Sequence, residues 1–215
     1  MKQARLDQLA DGIFAIVMTV LVFNITIPNF SGIVSEETLL RSLISIFPVF
    51  LSYLLSFSLL FTYWRSHHLI ASVLAKNIDI KFSNLNAVFF FFVGLVPFAS
   101  HLLGAYSYSK TAVIFFAANV IFIGLSLFRM RQYVIKSETI ENVPITKVEN
   151  ERANMRILFP VVSAFLAVLV SFYNNDIAIV LFTLAILFNI SSKSTQYTLA
   201  FFNFFHSQKV EDVIS

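Results

Sequence analysis

Residues 12–27 read Gly-Ile-Phe-Ala-Ile-Val-Met-Thr-Val-Leu-Val-Phe-Asn-Ile-Thr-Ile, sixteen residues without an ionisable side chain, closed by Pro28. Such a run comes near the ~20 apolar residues that carry a helix through the roughly 30 Å hydrocarbon core of a bilayer. A buried helix of a soluble protein gives the same pattern, so composition has to decide between them. The chain has 215 residues, 58% of them hydrophobic and 13% charged, where a soluble domain is about 25% charged. A water-soluble globule of this size exposes too much of its chain to hide that much apolar surface. Lipid is therefore the solvent. The 26 Phe exclude a disordered or nucleic-acid-tail chain, which needs low hydrophobicity and few aromatics. With no Cys, disulfides, thiolate zinc sites and iron–sulfur clusters drop out together.

Working outward from the first run, the sequence predicts an all-α, polytopic membrane protein with six transmembrane helices. The spans are placed at about 5–28, 37–65, 82–104, 110–130, 156–174 and 176–192 in a single domain, 1–215, with a tail at 193–215. Ser35-Glu36-Glu37 is an N-cap with two acids at a helix start. Pro48 and Pro97 fall inside the second and third spans and predict kinks. Pro160 is expected in the first turn of the fifth, where its missing N–H costs little. The sixth apolar run is short. Six spans put both termini on one side, and 13 of the 15 Lys and Arg fall on that side, leaving Arg41 and Lys110 on the other. By the positive-inside rule both termini are cytoplasmic in a multi-pass protein of the cell membrane. No cleaved signal peptide is expected, since the first apolar run is too long and no small-residue cleavage site follows. The polar connection 130–155 reads as a solvated helical extension.

Ionisable residues within a membrane are costly and mark function by default. Arg5, Asp7 and Asp11 crowd the start of the first helix, Trp64-Arg65-Ser66-His67-His68 ends the second, and Asn84-Leu85-Asn86 opens the third. Three polar clusters at one depth predict a shared network, with Asp11 paired to Arg5 and with imidazole and indole N–H groups finding acceptors. Adjacent histidines diverge on a helix, and no further ligand stands at a metal-binding offset, so no metal, cofactor or catalytic role is read into them. In the first helix Ile16, Thr19, Val20, Phe23 and Ile27 recur at steps of three and four and share one face. Such an apolar stripe is more often helix packing than a pore lining.

At these residues the chain resembles the TMEM175 potassium-channel family. Arg5-Leu6-Asp7-Gln8-Leu9-Ala10-Asp11 is similar to the family's Arg-x-x-x-Phe-Ser-Asp signature, with Leu9 and Ala10 in place of its Phe and Ser. Gly12 to Thr19 resembles its first helix, Trp64-x-x-x-His68 the end of its second, and Asn84 with Leu95-Val96-Pro97-Phe98 its third. The resemblance implies a homotetramer with the first helices around a central axis and no Thr-Val-Gly-Tyr-Gly filter loop. It places Ile16, Thr19, Val20 and Phe23 on the pore and makes Arg5, Asp11, Trp64, His68 and Asn84 an interhelical polar network. It implies no enzyme activity, K+ as the permeant ion, and the lipid bilayer and further copies of the chain as partners. A proton-permeable leak channel of the same family and a secondary transporter are the alternatives. The transporter lacks the midplane charges such proteins use.

Overall fold

The computed structural model describes residues 3–28, 30 and 32–190. Among them the chain is all helix: α1 Gln3–Val20, α2 Glu36–Ser45, α3 Phe47–His68, α4 Ile80–Gly94, α5 Val96–Ala105, α6 Lys110–Lys136, α7 Lys147–Ser171 and α8 Asn175–Ile190. A 3₁₀ turn, Leu21–Asn24, extends α1, and a π turn, Leu69–Leu74, extends α3. Five stretches are long and apolar enough to cross a membrane: Gln3–Asn24, Phe47–Leu74, Ile80–Ala105, Lys110–Lys136 and Lys147–Ser171. The sixth expected span is the shorter α8, whose 16 residues reach about 24 Å at 1.5 Å per residue. The expected tail, 193–215, lies outside the described residues.

Prolines set the breaks. The second apolar stretch, expected as one helix over 37–65, splits at Ile46, whose ψ of 4° closes α2 before α3 begins. Pro48 then sits at the start of α3, where no N–H is needed. Ser35 caps α2 by accepting the Thr38 N–H at 3.2 Å, but no residue of α2 is buried. The span therefore starts at Phe47. Leu95 divides α4 from α5 in the same way, just ahead of Pro97. The first helix stops at Asn24 rather than near residue 28, because the β-branched Ile25-Thr26-Ile27 before Pro28 favours extended backbone.

In α7 the expectation is corrected. A capping box between Thr146 and Glu149 starts the helix at Lys147, about ten residues early. Pro160 therefore lies in the helix interior, where it leaves the Arg156 carbonyl without its usual donor. The Asn189 amide on α8 reaches that carbonyl at 3.4 Å, so a neighbouring helix satisfies the freed group.

The connection 130–155 is only partly a helical extension. Its middle folds back on the α3–α4 linker: the Lys76 N–H donates to the Glu141 carbonyl at 2.8 Å and the Val143 N–H to the Leu74 carbonyl at 3.1 Å. Asn77 bonds Thr139 and Glu141. Asp79 accepts from the Tyr133 hydroxyl, the Thr139 hydroxyl and the Phe82 N–H. Partial burial pushes the Asp79 carboxyl up, but these bonds together outweigh it and hold the group below the ordinary carboxylate value.

In the bundle α3 is central, touching α1, α5, α6, α7 and α8, while α6 runs along α7 and α7 along α8. Bilayer helices gain little hydrophobic drive from meeting one another, so close approach has to do that work. Small residues provide it. A Cβ on Gly104 would lie 2.9 Å from the Val49 backbone, and one on Gly124 would lie 2.3 Å from Val161 Cγ2. Polar groups tie α3 to its neighbours: the Tyr63 hydroxyl donates to the Val120 carbonyl on α6 at 3.1 Å and the Ser100 hydroxyl on α5 to the Ser52 carbonyl at 3.2 Å.

Candidate functional site

Two faces of α1 carry different chemistry. Leu6, Ala10, Phe14, Val17 and Leu21 are buried, at steps of four, four, three and four, and lie against the α3–α5 side of the bundle. Ile16, Thr19, Val20 and Phe23 lie about 130° around the axis by the 100° step. That second face is uncovered by the other described residues: Ile16 is 64% exposed, Phe23 75% and Val20 38%. The 3₁₀ turn keeps Phe23 over Val20, since its step is near 120° per residue. Ile27 falls beyond the helix and leaves the stripe. The Thr19 hydroxyl lies 2.9 Å from both the Ala15 and the Ile16 carbonyls. Its proton is thus directed into the helix backbone, and oxygen lone pairs remain for the open side.

The polar cluster at the basic end positions this helix. The Trp64 indole N–H donates to the Asp11 carboxylate at 2.9 Å, and the Trp64 ring stacks on His68 at 6.2 Å. His68 in turn bonds the Ser72 hydroxyl at 3.2 Å. Gln3 donates to the Ala71 and Ala75 carbonyls at 2.6 and 2.8 Å, fastening the start of α1 to the π turn. At the other end the Asn24 amide donates to the Pro97 carbonyl at 3.1 Å.

Two expected members stand apart. Arg5 does not pair with Asp11; the one ion pair among the described residues is Arg41–Glu37. Six residues along a helix place Asp11 about 9 Å up and 120° around from Arg5, so the two cannot face one another. Arg5 instead falls on the same side as Ile16 and Phe23. Asn84 is exposed at the lip of α4, and Asn86 is the buried asparagine.

His67 and Asn86 form the centre that the sequence reading passed over. His67 is 2% exposed, its Nε2 lies 2.7 Å from Asn86 Oδ1, and its ring stacks on Phe89 at 5.2 Å with an interplanar angle of 7°. Because the Asn86 amide nitrogen donates to the Phe82 carbonyl at 2.9 Å, its oxygen must accept, and His67 carries a proton on Nε2. Phe14 closes the group from α1, 5.9 Å from Phe89. A signal existed: His67 extends the buried Ser52-Ser56-Leu59-Tyr63 stripe, and Asn86 lies in the buried stripe of Phe82, Phe89 and Val93. One Asp7 carboxylate oxygen is also buried without a partner. Among the described residues no three His, Asp or Glu side chains converge as a metal site.

Comparison with known proteins bears on this arrangement. Residues 5–97 match the family model described as endosomal/lysosomal potassium channel TMEM175. A protein named as a potassium channel from Chamaesiphon minutus is 37% identical over 102 residues, 47% of this chain and 49% of that protein. Another so named, from Chryseobacterium sp., is 27% identical over 139 residues, 64% of this chain and 68% of that one. The chain thus spans about half the length of the first of these relatives. The fold extends further. The crystal structure of a lysosomal potassium-selective channel TMEM175 homolog from Chamaesiphon minutus superimposes with a TM-score of 0.74 at 25% identity, covering 87% of this chain and 96% of that one. All of these are named as channels, and none as an enzyme.

Proposed function

We propose that the chain is a member of the TMEM175 family and a potassium-permeable cation channel, a reading supported by the family match over residues 5–97 and by the likeness of fold over most of its length. It acts as a homotetramer in the cell membrane, with six spans, both termini cytoplasmic and the four α1 helices around the axis. The observation that carries this reading is the uncovered face of α1, held in place by polar bonds at both ends. Ile16, Thr19, Val20 and Phe23 form the lining. Four copies of Ile16 make a hydrophobic constriction that gates by width and dewetting. Ions lose water there, and K+ gives up its shell at lower cost than Na+. Thr19 oxygens replace part of that shell, giving preference without strict selection. K+ is the permeant ion, and the conduction path calls for no cofactor.

The test is planar-bilayer recording of the purified chain with Ile16→Asn. The variant is expected to raise unitary conductance and narrow the K+/Na+ difference in reversal potential. Unchanged conductance and ion preference in Ile16→Asn remove the lining assignment. Flux without unitary currents favours a transporter, and a reversal potential that follows the proton gradient favours a proton leak.

A further inference from the structure

A cavity of about 320 Å³ lies at the basic end of the bundle, beneath residues 143–145 and between the π turn, α6 and α7. Its walls are apolar: Leu69, Ile70, Val73, Leu74, Ile145 and Ile157. Two arginines, Arg131 and Arg156, interrupt them. Arg131 is only 3% exposed. One of its terminal nitrogens donates to Asn150 Oδ1 at 3.0 Å, but its buried Nε–H has no partner. Arg65 and Arg152 lie close enough to act on Arg156 through charge. The lining's one acid, Glu149, has an oxygen committed to the Thr146 N–H and hydroxyl. A guanidinium this buried demands an anion or a full set of acceptors, and the described residues supply one acceptor. The mouth is open at Leu69 and Val73, both substantially exposed.

An apolar slot at the end of spanning helices that holds the unpartnered buried Nε–H of Arg131 suits a molecule with a phosphate at one end and hydrocarbon at the other. We propose that this cavity binds an anionic phospholipid, its phosphate on Arg131 and Arg156 and the start of its acyl chain along Ile70, Val73 and Ile157. A free phosphate satisfies the arginines and leaves the apolar walls wet. A zwitterionic lipid brings its own cation to a site already rich in cations. The inference is independent of what the chain conducts.

Native mass spectrometry of the full chain, released from nanodiscs of phosphatidylcholine alone or mixed with phosphatidylglycerol, reads the site directly. The wild type is expected to retain phosphatidylglycerol in preference to phosphatidylcholine. Arg131→Gln is expected to weaken that retention by about tenfold, the scale of one charge-assisted hydrogen bond. Val73→Trp, which fills the mouth without touching a buried charge, is expected to give a similar loss with the melting temperature in phosphatidylcholine unchanged, and it decides the matter if the arginine variant does not fold. Equal retention of the two lipids overturns the proposal, as does undiminished retention in Val73→Trp. Displacement of the lipid by inorganic phosphate assigns the arginines to a free anion and equally overturns it.

Discussion

The buried bond between His67 and Asn86 is open to a double-mutant cycle. The His67 ring is enclosed by Phe89, Phe90 and Phe14, and its Nε2–H has Asn86 Oδ1 as its partner. Asn86→Leu keeps the branched shape of the side chain but strands that donor where no water reaches, at a cost of about 1–3 kcal/mol. His67→Phe keeps a flat ring for the Phe89 stack and strands the Asn86 oxygen, at a similar cost. When both partners become apolar, no stranded group remains, and replacing both sides of a hydrogen bond is nearly neutral. The expected coupling energy is therefore about 2–6 kcal/mol in magnitude, close to the sum of the two single costs.

The assay is thermal unfolding of the purified full chain in detergent, followed by fluorescence-detected size exclusion. At about 2–4 °C per kcal/mol for chains near this length, each single variant melts several degrees below the wild type. The double variant melts above either single. If the double variant instead loses the sum of the two, the side chains act independently and the buried bond is not what holds α3 to α4 here.

Three further changes probe other contacts. Gly124→Ala sets a methyl 2.3 Å from Val161 Cγ2 and 3.0 Å from the Tyr63 hydroxyl, so it is expected to cost about 1–3 kcal/mol by overpacking; adding Val161→Ala recovers a measurable part of the melting temperature, and no recovery counts against the close α6–α7 crossing. Trp64→Phe keeps a ring beside His68 but removes the indole N–H from Asp11; at this exposed carboxylate the loss is about 1 kcal/mol, seen as a lower melting temperature that Asp11→Asn in the same chain barely deepens. Asp79 is held below its reference value of 3.8, so its contribution is present above that pH and is lost as the pH falls through the folded value. The melting-temperature gap between wild type and Asp79→Asn should therefore close in acid below 3.8; a gap that persists there refutes the role of the charge.

Hydropathy made the helices legible because bilayer thickness imposes a length on every span, whatever its partners. The prolines were legible in a weaker sense. Pro48 and Pro97 announce an interruption, but whether the helix bends or restarts depends on the backbone two residues upstream, where ψ is 4° at Ile46 and −11° at Leu95 and a new helix starts one residue later. Pro160 was misread because the capping box at Thr146 lies in a polar stretch where hydropathy carries no signal. In the polar cluster Trp64 bonds Asp11 and stacks on His68, as their sequence grouping suggested, whereas Arg5 and Asn84 do not join them. Azimuth was the deciding quantity: His67 and Asn86 fall on buried stripes, while His68 and Asn84 do not. The clasp of residues 137–146 on the α3–α4 linker depends on pairing between segments some 65 positions apart, which no local pattern encodes.

Exposure alone does not separate a pore face from a lipid face, because in a membrane both are left open by the single chain. The composition of the α1 row is more telling. Arg5, Leu9, Gly12, Ile16, Thr19 and Phe23 follow one another at steps of four, three, four, three and four, within about 80° of azimuth. A lipid-facing row gains nothing from a glycine or a threonine, and an arginine at its end is tolerated only where it reaches water or headgroups. Gly12 has open space where a Cβ would stand, which allows helices to approach closely, and Thr19 offers lone pairs. Contrast α8, whose exposed residues beyond Asp176 in its first turn, namely Ile177, Val180, Leu181, Leu184, Leu187 and Phe188, are all bulky and apolar. That is the surface acyl chains require. The difference between the two rows, one mixed and one uniformly apolar, supports placing α1 against copies of itself around water and α8 against lipid.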